Sequence, residues 1–191
     1  MQPLDNNPDW QAFQQVYSKI EVPAKTLLLR EGEVSRQAYQ ILRGCMRLWF
    51  NDNGRDITFQ FFFEGQAVSS IESFRTGRPS LFNIETLETC TLRVIKKTDF
   101  GIMMAELPGF KELIEVNIYQ RLEHYISLFL SRIRDTPQQR YWDLVADHPE
   151  IVRRVPQHYM PATWGSLLSL SAGYGIRPAR RGERLDLLPV S

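Results

Sequence analysis

The sequence predicts an α+β chain, in which an antiparallel β-roll of the jelly-roll kind is followed by a long helix and a small helical domain. Between residues 26 and 97, short runs rich in β-branched and aromatic residues alternate with Gly and polar turns. A helical period then continues from Pro108 to Asp135, and a second helical pattern opens at Thr136. Many short strands separated by regular turns are typical of an antiparallel sandwich or barrel.

The N-terminal segment predicts a helix over residues 9–20, because Asp9 is a suitable N-cap for the apolar residues that follow at helical spacing. These are Trp10, Phe13, Val16, Tyr17 and Ile20. Five strand-like runs come next, over residues 26–33, 38–50, 56–63, 80–87 and 90–97. The sequence NDNG at residues 51–54 predicts a hairpin turn, since Asn and Gly tolerate positive φ.

Two short helices accompany these strands, and one long helix follows them. Ser69 or Ser70 caps a helix within residues 69–79 that Gly77 ends, and residues 99–107 form the other short helix. Pro108 suits the first turn of the long helix.

Two apolar stripes run along the long helix. One consists of Ile114, Ile118, Leu122, Tyr125 and Phe129, and the other of Val116, Tyr119, Ile126, Leu130 and Ile133. With two stripes the helix can pack on its own roll with one and on a second copy with the other, which predicts a homodimer. The stripe that begins at Ile114 is the one we expect at the dimer contact. The alternative is a single broad stripe buried within one subunit.

Residues 136–159 predict the start of a small helical domain. Thr136 is a suitable cap, Pro137 a suitable first residue, and the inward positions are Tyr141, Trp142, Leu144 and Val145. The HPE sequence at residues 148–150 ends this helix, and EIVRRV forms a short second one.

Composition narrows the function classes. The net charge is +1, but residues 151–191 hold six Arg and two acidic residues, net +4, which leaves residues 1–150 at net −3. A basic end on an acidic body favours contact with a polyanion at that end, and a solvated basic tail is the alternative. The N-terminus carries no secretory signal, and no apolar run is long enough to span a membrane, so we expect a cytoplasmic protein without a membrane partner.

The Cys and His residues of the sequence do not form a pattern typical of a catalytic or metal site. Cys45 and Cys90 stand alone in strand-like runs, which indicates buried thiols rather than a zinc or iron–sulfur site. All three His follow the strands, so a metal-dependent cupin is not expected. Haem ligation by His124 is the remaining cofactor reading, and a lone His on a long helix is usually polar surface. We therefore expect no enzyme, no metal and no cofactor.

The order of elements, with the segments ILRGCMRLWF, NDNGRDITFQFFFEG, SFRTGRPSLFNIETLE and TPQQRYWDLVADHPEIVRRVPQHY, resembles the Crp/Fnr superfamily of bacterial transcription regulators. The resemblance covers about residues 10–159 and is strongest to the branch common in Bacteroidetes. It implies a cyclic-nucleotide-binding-like sensor roll at 1–107, a dimerisation helix at 108–135 and a winged helix-turn-helix that begins at 136–159.

The resemblance also identifies a candidate effector pocket: Gly65, Gln66, Arg75, Arg78, Ser80 and Asn83. Family members that bind a cyclic nucleotide usually have Gly-Glu-Leu, where this chain has Gly65-Gln66-Ala67, and Arg-Ser or Arg-Thr, where it has Ser80-Leu81. Without the carboxylate for the ribose and the Arg for the phosphate, we expect cAMP and cGMP not to bind usefully. A different effector in the same pocket is one alternative, and a solvated polar loop is the other.

The tail at 160–191 departs from the family pattern, which expects A-S-Y-L-G-I-T-P-E-S-L-S-R-I-R after His158-Tyr159. Codons can be chosen for the sixteen residues that begin at Met160 so that a one-base shift encodes this whole peptide. We therefore interpret residues 160–191 as a frameshifted tail that leaves the winged helix degenerate and truncated; a divergent C-terminus with its own fold is the alternative.

DNA binding should then be weak or absent, with residual contact through Arg153 and Arg154. A ligand-binding or protein-interaction dimer without a DNA role is the competing class.

Overall fold

The computed structural model describes residues 17–160, apart from the side chains of Pro108, Tyr141, Leu144, Asp147 and Gln157. Most of the predicted N-terminal helix, and the tail from residue 161, lie outside these residues. The end of that helix prediction is wrong, because Ser18–Val22 is a strand whose Ile20 pairs with Leu92. Pairing with a neighbouring strand there outweighs the helical spacing of the apolar residues.

Two four-stranded antiparallel sheets form the roll, which lies in the first of two compact units, residues 1–130. The strands are β1 Ser18–Val22, β2 Leu27–Leu29, β3 Gln37–Arg43, β4 Met46–Asp52, β5 Arg55–Phe62, β6 Ala67–Val68, β7 Asn83–Thr86 and β8 Cys90–Lys96. Their orders are β1-β8-β3-β6 and β2-β7-β4-β5. The predicted antiparallel roll is confirmed.

An apolar cluster fills the roll. It draws inward-facing residues from both sheets, since alternate side chains of a strand point to one face. Its buried members are Val22, Leu29, Tyr39, Ile41, Met46, Leu48, Phe62, Val68, Ile84, Cys90, Leu92 and Val94. Cys45 is buried as well, so both thiols lie in the interior, as the sequence indicated.

The β4–β5 turn forms where the sequence predicts it. Asn53 and Gly54 both have positive φ, 51° and 85°, which is the requirement of a two-residue turn that matches the strand twist. The Asn51 Oδ1 atom accepts a hydrogen bond from the Gly54 N–H at 2.9 Å. The turn therefore fixes the register of β4 against β5. The pairing of these strands has an irregularity between Leu48 and Trp49.

Among the described residues up to Arg134, three helices accompany the strands. Helix α1 covers Ile71–Thr76 and ends at Gly77, whose φ of 77° is left-handed, as predicted. Helix α2 covers Lys97–Glu106, and the long helix α3 covers Pro108–Arg134. Phe110 of α3 stacks edge-to-face on Phe100 of α2, with 5.4 Å between ring centroids. This contact joins the start of α3 to the end of the roll.

Residues 131–160 lie in the second compact unit. Helix α4 covers Pro137–Asp147, α5 covers Pro149–Arg154, and a 3-10 turn covers Gln157–Tyr159. The predicted cap is present, because the Gln139 N–H donates to Thr136 Oγ1 at 3.3 Å while the Gln139 side chain accepts from the Thr136 N–H at 2.9 Å. Among the predicted inward positions, Trp142 and Val145 are half-buried.

Candidate effector site

A cavity of about 170 Å³ lies between the roll and α3, within the first compact unit. The strands β4 and β5, the residue before β7, the segment between β6 and α1, the start of α1 and the middle of α3 each contribute to its walls. Its lining residues are Leu48, Phe59, Ser69, Ile71, Glu72, Phe82, Arg121 and Tyr125. Both the sheet and the helix therefore face whatever occupies this space.

One wall of the cavity is aromatic. Phe59 and Phe82 meet edge-to-face with 5.4 Å between ring centroids, the favoured arrangement for two aromatic rings. Phe59 is 43% exposed, so the pair also borders the mouth. Leu48, which is buried, also lines the cavity.

Arg121 contributes the cation of the lining. Its Nη2 atom donates to the carbonyl oxygen of Ala67 at 2.7 Å, and its guanidinium carbon lies 5.0 Å from the ring centroid of Phe62. Burial lowers the pKa of Arg121, although arginine keeps its charge at any ordinary pH. The guanidinium is therefore already bound to the roll on one side.

Tyr125 and Glu72 are the other ionisable groups of the lining. The Tyr125 hydroxyl donates to Gln60 Oε1 at 2.5 Å, and burial raises the pKa of this phenol. Glu72 lies on α1 with its carboxylate largely exposed, 3.9 Å from the guanidinium of Arg78. The lining thus combines one positive and one negative side chain and has no excess of positive charge for a phosphate.

Ser69 supplies a hydroxyl to the lining. Its Oγ atom is buried and has no hydrogen-bond partner among the described residues. A buried hydroxyl without a partner costs free energy, so it marks a place where a ligand or a water would be stabilised. The sequence signalled Ser69 only as a helix cap, and it makes no side-chain cap hydrogen bond there, since Ser70 holds the N-cap position.

None of the six predicted pocket residues is among those that line this cavity. Gly65 lies in the turn before β6 with a φ of 80°, and its N–H donates to the carbonyl oxygen of Ile41 at 2.8 Å. The side chain of Gln66 accepts from the Phe63 N–H at 2.8 Å and so stabilises this turn. Neither residue lines the cavity.

Ser80 and Asn83 are buried, and their polar atoms have partners in the fold. Ser80 Oγ is hydrogen-bonded to Ser70 Oγ at 3.0 Å and to the carbonyl oxygen of Phe82 at 2.7 Å. Asn83 accepts from the Glu31 N–H at 3.0 Å and donates to the Trp49 carbonyl oxygen at 3.2 Å. These side chains organise the loops beside the cavity without facing it.

Arg75 and Arg78 lie on the surface. Arg75 is exposed in the last turn of α1, and the side chain of Arg78 is 78% exposed beside Glu72. The structure therefore brings neither arginine into the cavity, where Arg121 stands instead. In the sequence, Arg121 is one turn before Tyr125, which belongs to the stripe predicted for the dimer, so nothing there identified Arg121 as a pocket residue.

The apolar stripes of α3 are largely exposed in the single chain. Ile114 packs against a buried cluster with Phe110 and Met103, whereas Leu122 and Phe129 are 52% and 65% exposed. Exposed as well are Val116, Ile118, Tyr119, Tyr125, Ile126, Leu130 and Ile133. A single broad stripe buried within one subunit, the alternative from the sequence, does not describe this helix.

At the far end of the described chain, Arg153 and Arg154 occupy the last turn of α5. Arg153 is exposed and donates to the Pro149 carbonyl oxygen at 3.4 Å, while Arg154 is half-buried.

Within residues 17–160, no cluster of three His, Cys, Asp or Glu is arranged to hold a metal ion. The same part of the chain contains no helix with the length and apolarity that crossing a bilayer requires.

The two sheets, the short helix between β6 and β7, and the helices after β8 define a cyclic nucleotide-binding fold. Residues 19–106 match the family described as Cyclic nucleotide-binding domain. No curated protein sequence matches the chain with significance.

Solved structures agree in fold. FixK2 from Bradyrhizobium japonicum is 17% identical with a TM-score of 0.66, over 84% of this chain and 87% of that one. The catabolite activator protein of Thermus thermophilus is 16% identical with a TM-score of 0.59, over 95% and 91%. The c-di-GMP responsive regulator CLP of Xanthomonas campestris is 16% identical with a TM-score of 0.61, over 73% and 70%. The chain spans 37% of the length of the regulatory-domain structure of Toxoplasma gondii PKA.

Proposed function

We propose that this chain is a Crp/Fnr-type transcription regulator whose roll binds a small effector, whose helix α3 pairs two copies, and whose DNA reading is impaired. One observation carries the proposal: Arg121 and Tyr125, which line the cavity, lie on the same helix that exposes a long apolar face. An effector in the cavity would touch the element that joins the two copies. The names of the neighbours support this, since CLP is called a global regulator and the Thermus protein an activator.

The homodimer rests on the exposed face of α3. Monomeric soluble proteins rarely leave a large continuous apolar patch in contact with water. Two parallel or antiparallel copies of α3 would bury Leu122, Ile126 and Phe129 against each other in the manner of a coiled coil. The helix is 27 residues long, which gives such an interface enough length.

Cyclic nucleotides are not the expected effector. Gln66 and Ser80, which stand where nucleotide-binding relatives carry Glu and Arg, are engaged in hydrogen bonds of the fold. The cation of the cavity, Arg121, already donates to Ala67, and Glu72 shares the lining. A cyclic phosphate would therefore lack its bidentate partner and would meet a carboxylate.

Titration calorimetry with cAMP and cGMP tests this part of the proposal. The expected result is no saturable heat at ligand concentrations up to about 1 mM. A control variant, Gln66→Glu with Ser80→Arg, carries the residues of nucleotide-binding relatives at both positions. It shows whether these two side chains are enough to give cyclic-nucleotide binding. Saturable micromolar binding of cAMP to the unchanged chain would contradict the proposal.

The proposal that sequence-specific DNA binding is impaired rests on the sequence from Met160, which lacks the expected recognition-helix sequence although a one-base shift can encode it. Arg153 and Arg154 supply a small basic surface just before this point. Contacts of this kind are made to phosphates and carry no base sequence information, so residual binding should be non-specific and strongly salt-dependent.

The matched comparison is a chain in which the peptide A-S-Y-L-G-I-T-P-E-S-L-S-R-I-R follows Tyr159 in place of the present residues. Both chains are used to select binding sites from a random DNA library at physiological salt. The restored chain should enrich a two-fold symmetric site and the present chain should not. Enrichment of a specific site by the present chain would show that its DNA reading is intact, and the gene sequence around codon 160 decides whether a base was lost.

A dimer that binds a ligand or a protein and has no DNA role is the second candidate function. The absence of a recognition-helix motif after Tyr159 in the sequence favours it. The library selection separates the two candidates, because a restored chain that also enriches no site would favour the second.

A further inference from the structure

The cavity beside α3 has a composition that identifies the class of its effector. We infer that it binds a single-ring aromatic molecule that carries one hydroxyl group. This inference rests on the proposed effector-binding role of the roll and specifies its ligand. Three features of the cavity lead to it: its size, its aromatic wall and its unpartnered hydroxyl.

The size of the cavity fits one ring. Its volume is about 170 Å³, and apolar cavities of about 150 Å³ hold a single benzene ring. Pockets for larger ligands, of drug or nucleotide size, usually measure about 300–1,000 Å³. A nucleotide would therefore require the walls to move apart, whereas a single ring with one small substituent would not.

The walls favour an aromatic ligand. Phe59 and Phe82 already meet edge-to-face, and Leu48 and Ile71 add aliphatic surface. A third ring beside this pair would gain the same edge-to-face contacts, each worth more than its buried area alone. The guanidinium of Arg121 stands over the ring of Phe62 and shows that cation and aromatic contacts coexist at this place.

Three polar side chains of the lining indicate that the ligand carries a hydroxyl group. Ser69 Oγ is buried without a partner among the described residues, so it gains from a ligand atom that accepts or donates a hydrogen bond. Arg121 and Glu72 both line the cavity and offer a donor and an acceptor. A hydroxyl can donate and accept, whereas a carboxylate or phosphate would be repelled by Glu72. One hydroxyl therefore satisfies this set better than an anion does.

Titration of the whole chain with phenol, followed by calorimetry or ligand-observed NMR, tests the inference. Phenol should bind one site per chain, with a Kd on the order of 0.1–1 mM for a ligand of about seven non-hydrogen atoms. Toluene has a similar size without the hydroxyl, and should bind about five-fold more weakly. The Ser69→Ala variant should bind phenol about five-fold more weakly and leave toluene binding unchanged. Equal phenol affinity in wild type and Ser69→Ala would overturn the assignment.

A second pair of variants locates the site without relying on Ser69. Ile71→Trp fills the cavity from its mouth and should weaken phenol binding more than ten-fold. Ile102→Trp is the control, because Ile102 is similarly exposed, 49% against 44%, on α2 and away from the cavity. Equal losses in both variants, or non-saturable binding of phenol to wild type, would overturn the inference.

Failure here is distinguishable from failure of the proposed function. Phenol binding is measured without DNA and at any oligomeric state. A dimer that binds no phenol would overturn only the ligand class, while a monomer that binds phenol would support the ligand class and remove the proposed dimeric regulator.

Discussion

Arg121, in the middle of the long helix, donates a hydrogen bond of 2.7 Å to the backbone carbonyl of Ala67, at the start of β6. The two residues are far apart in the sequence, and their contact attaches the helix to the roll at the edge of the cavity. Tyr125, one turn further on, makes a second attachment through Gln60. An effector that enters the cavity therefore meets both attachment points.

The first prediction concerns these attachments. Arg121→Met should lower the free energy of unfolding by about 1–3 kcal/mol, because the Ala67 carbonyl loses a charged donor and the Phe62 ring loses its cation. The amides of α3 should also exchange faster with solvent. Arg132→Met, at an exposed position of the same helix, is the control. Identical denaturation curves for the two variants would show that Arg121 does not hold the helix.

The second prediction concerns the close approach of Gly44 to β8. A Cβ atom at residue 44 would lie 2.5 Å from Cys90 Sγ and 2.9 Å from Cys90 Cα, and the φ of 112° is one that other residues rarely adopt. Gly44→Ala should therefore lower the free energy of unfolding by about 2–4 kcal/mol, because overpacking and backbone strain act together.

The control for Gly44 is Gly32→Ala, in urea denaturation of both variants. Gly32 also has a positive φ, 87°, but a Cβ there would meet no atom within 4 Å. Gly32→Ala should lower the free energy of unfolding by about 1–2 kcal/mol, from backbone strain alone. A Gly44→Ala protein as stable as the Gly32→Ala protein would rule out the close packing of this turn on Cys90.

The third prediction is a pH dependence at Tyr39, a buried core residue whose pKa is raised to about 12 by burial. The folded state holds this proton more tightly than the unfolded state, so the stabilisation is complete below pH 10 and is lost as the pH rises from 10 to 12. A shift of this size corresponds to about 2–3 kcal/mol.

Comparison with Tyr39→Phe isolates this effect in stability measurements from pH 8 to 12. The variant lacks the proton, so the difference in unfolding free energy between wild type and variant should shrink above pH 10. Tyr119→Phe, at an exposed side chain, controls for the loss of a tyrosine. A difference that stays constant through pH 12 would contradict the burial of this phenol.

The roll could be predicted from sequence because its signals are local. The turn at Asn53 and Gly54, the end of α1 at Gly77 and the start of α3 at Pro108 all depend on residues within a few positions. The N-terminal strand could not, because Ser18–Val22 has helical apolar spacing and becomes a strand only by pairing with β8.

The cavity was harder to predict, since its lining comes from elements far apart in the chain. The family pattern aligned Ser80 with the phosphate-binding arginine and left Arg78 two residues early; in the structure Ser80 is buried and Arg78 is exposed to solvent. Arg121 and Ser69 could be recognised only once the helix and the roll had been brought together. Which side chains line one site depends on long-range packing, and local sequence patterns do not predict that packing.

The proposed regulator requires α3 to join two copies of the chain through its exposed apolar face. Sedimentation velocity of the whole chain at micromolar concentration measures this directly, with Leu122→Glu combined with Phe129→Glu as the interface variant and Ile102→Glu as the control. We expect a dimer for wild type and control, and a monomer with unchanged secondary structure for the interface variant. A monomeric wild type, or a dimer that survives both interface substitutions, would contradict it.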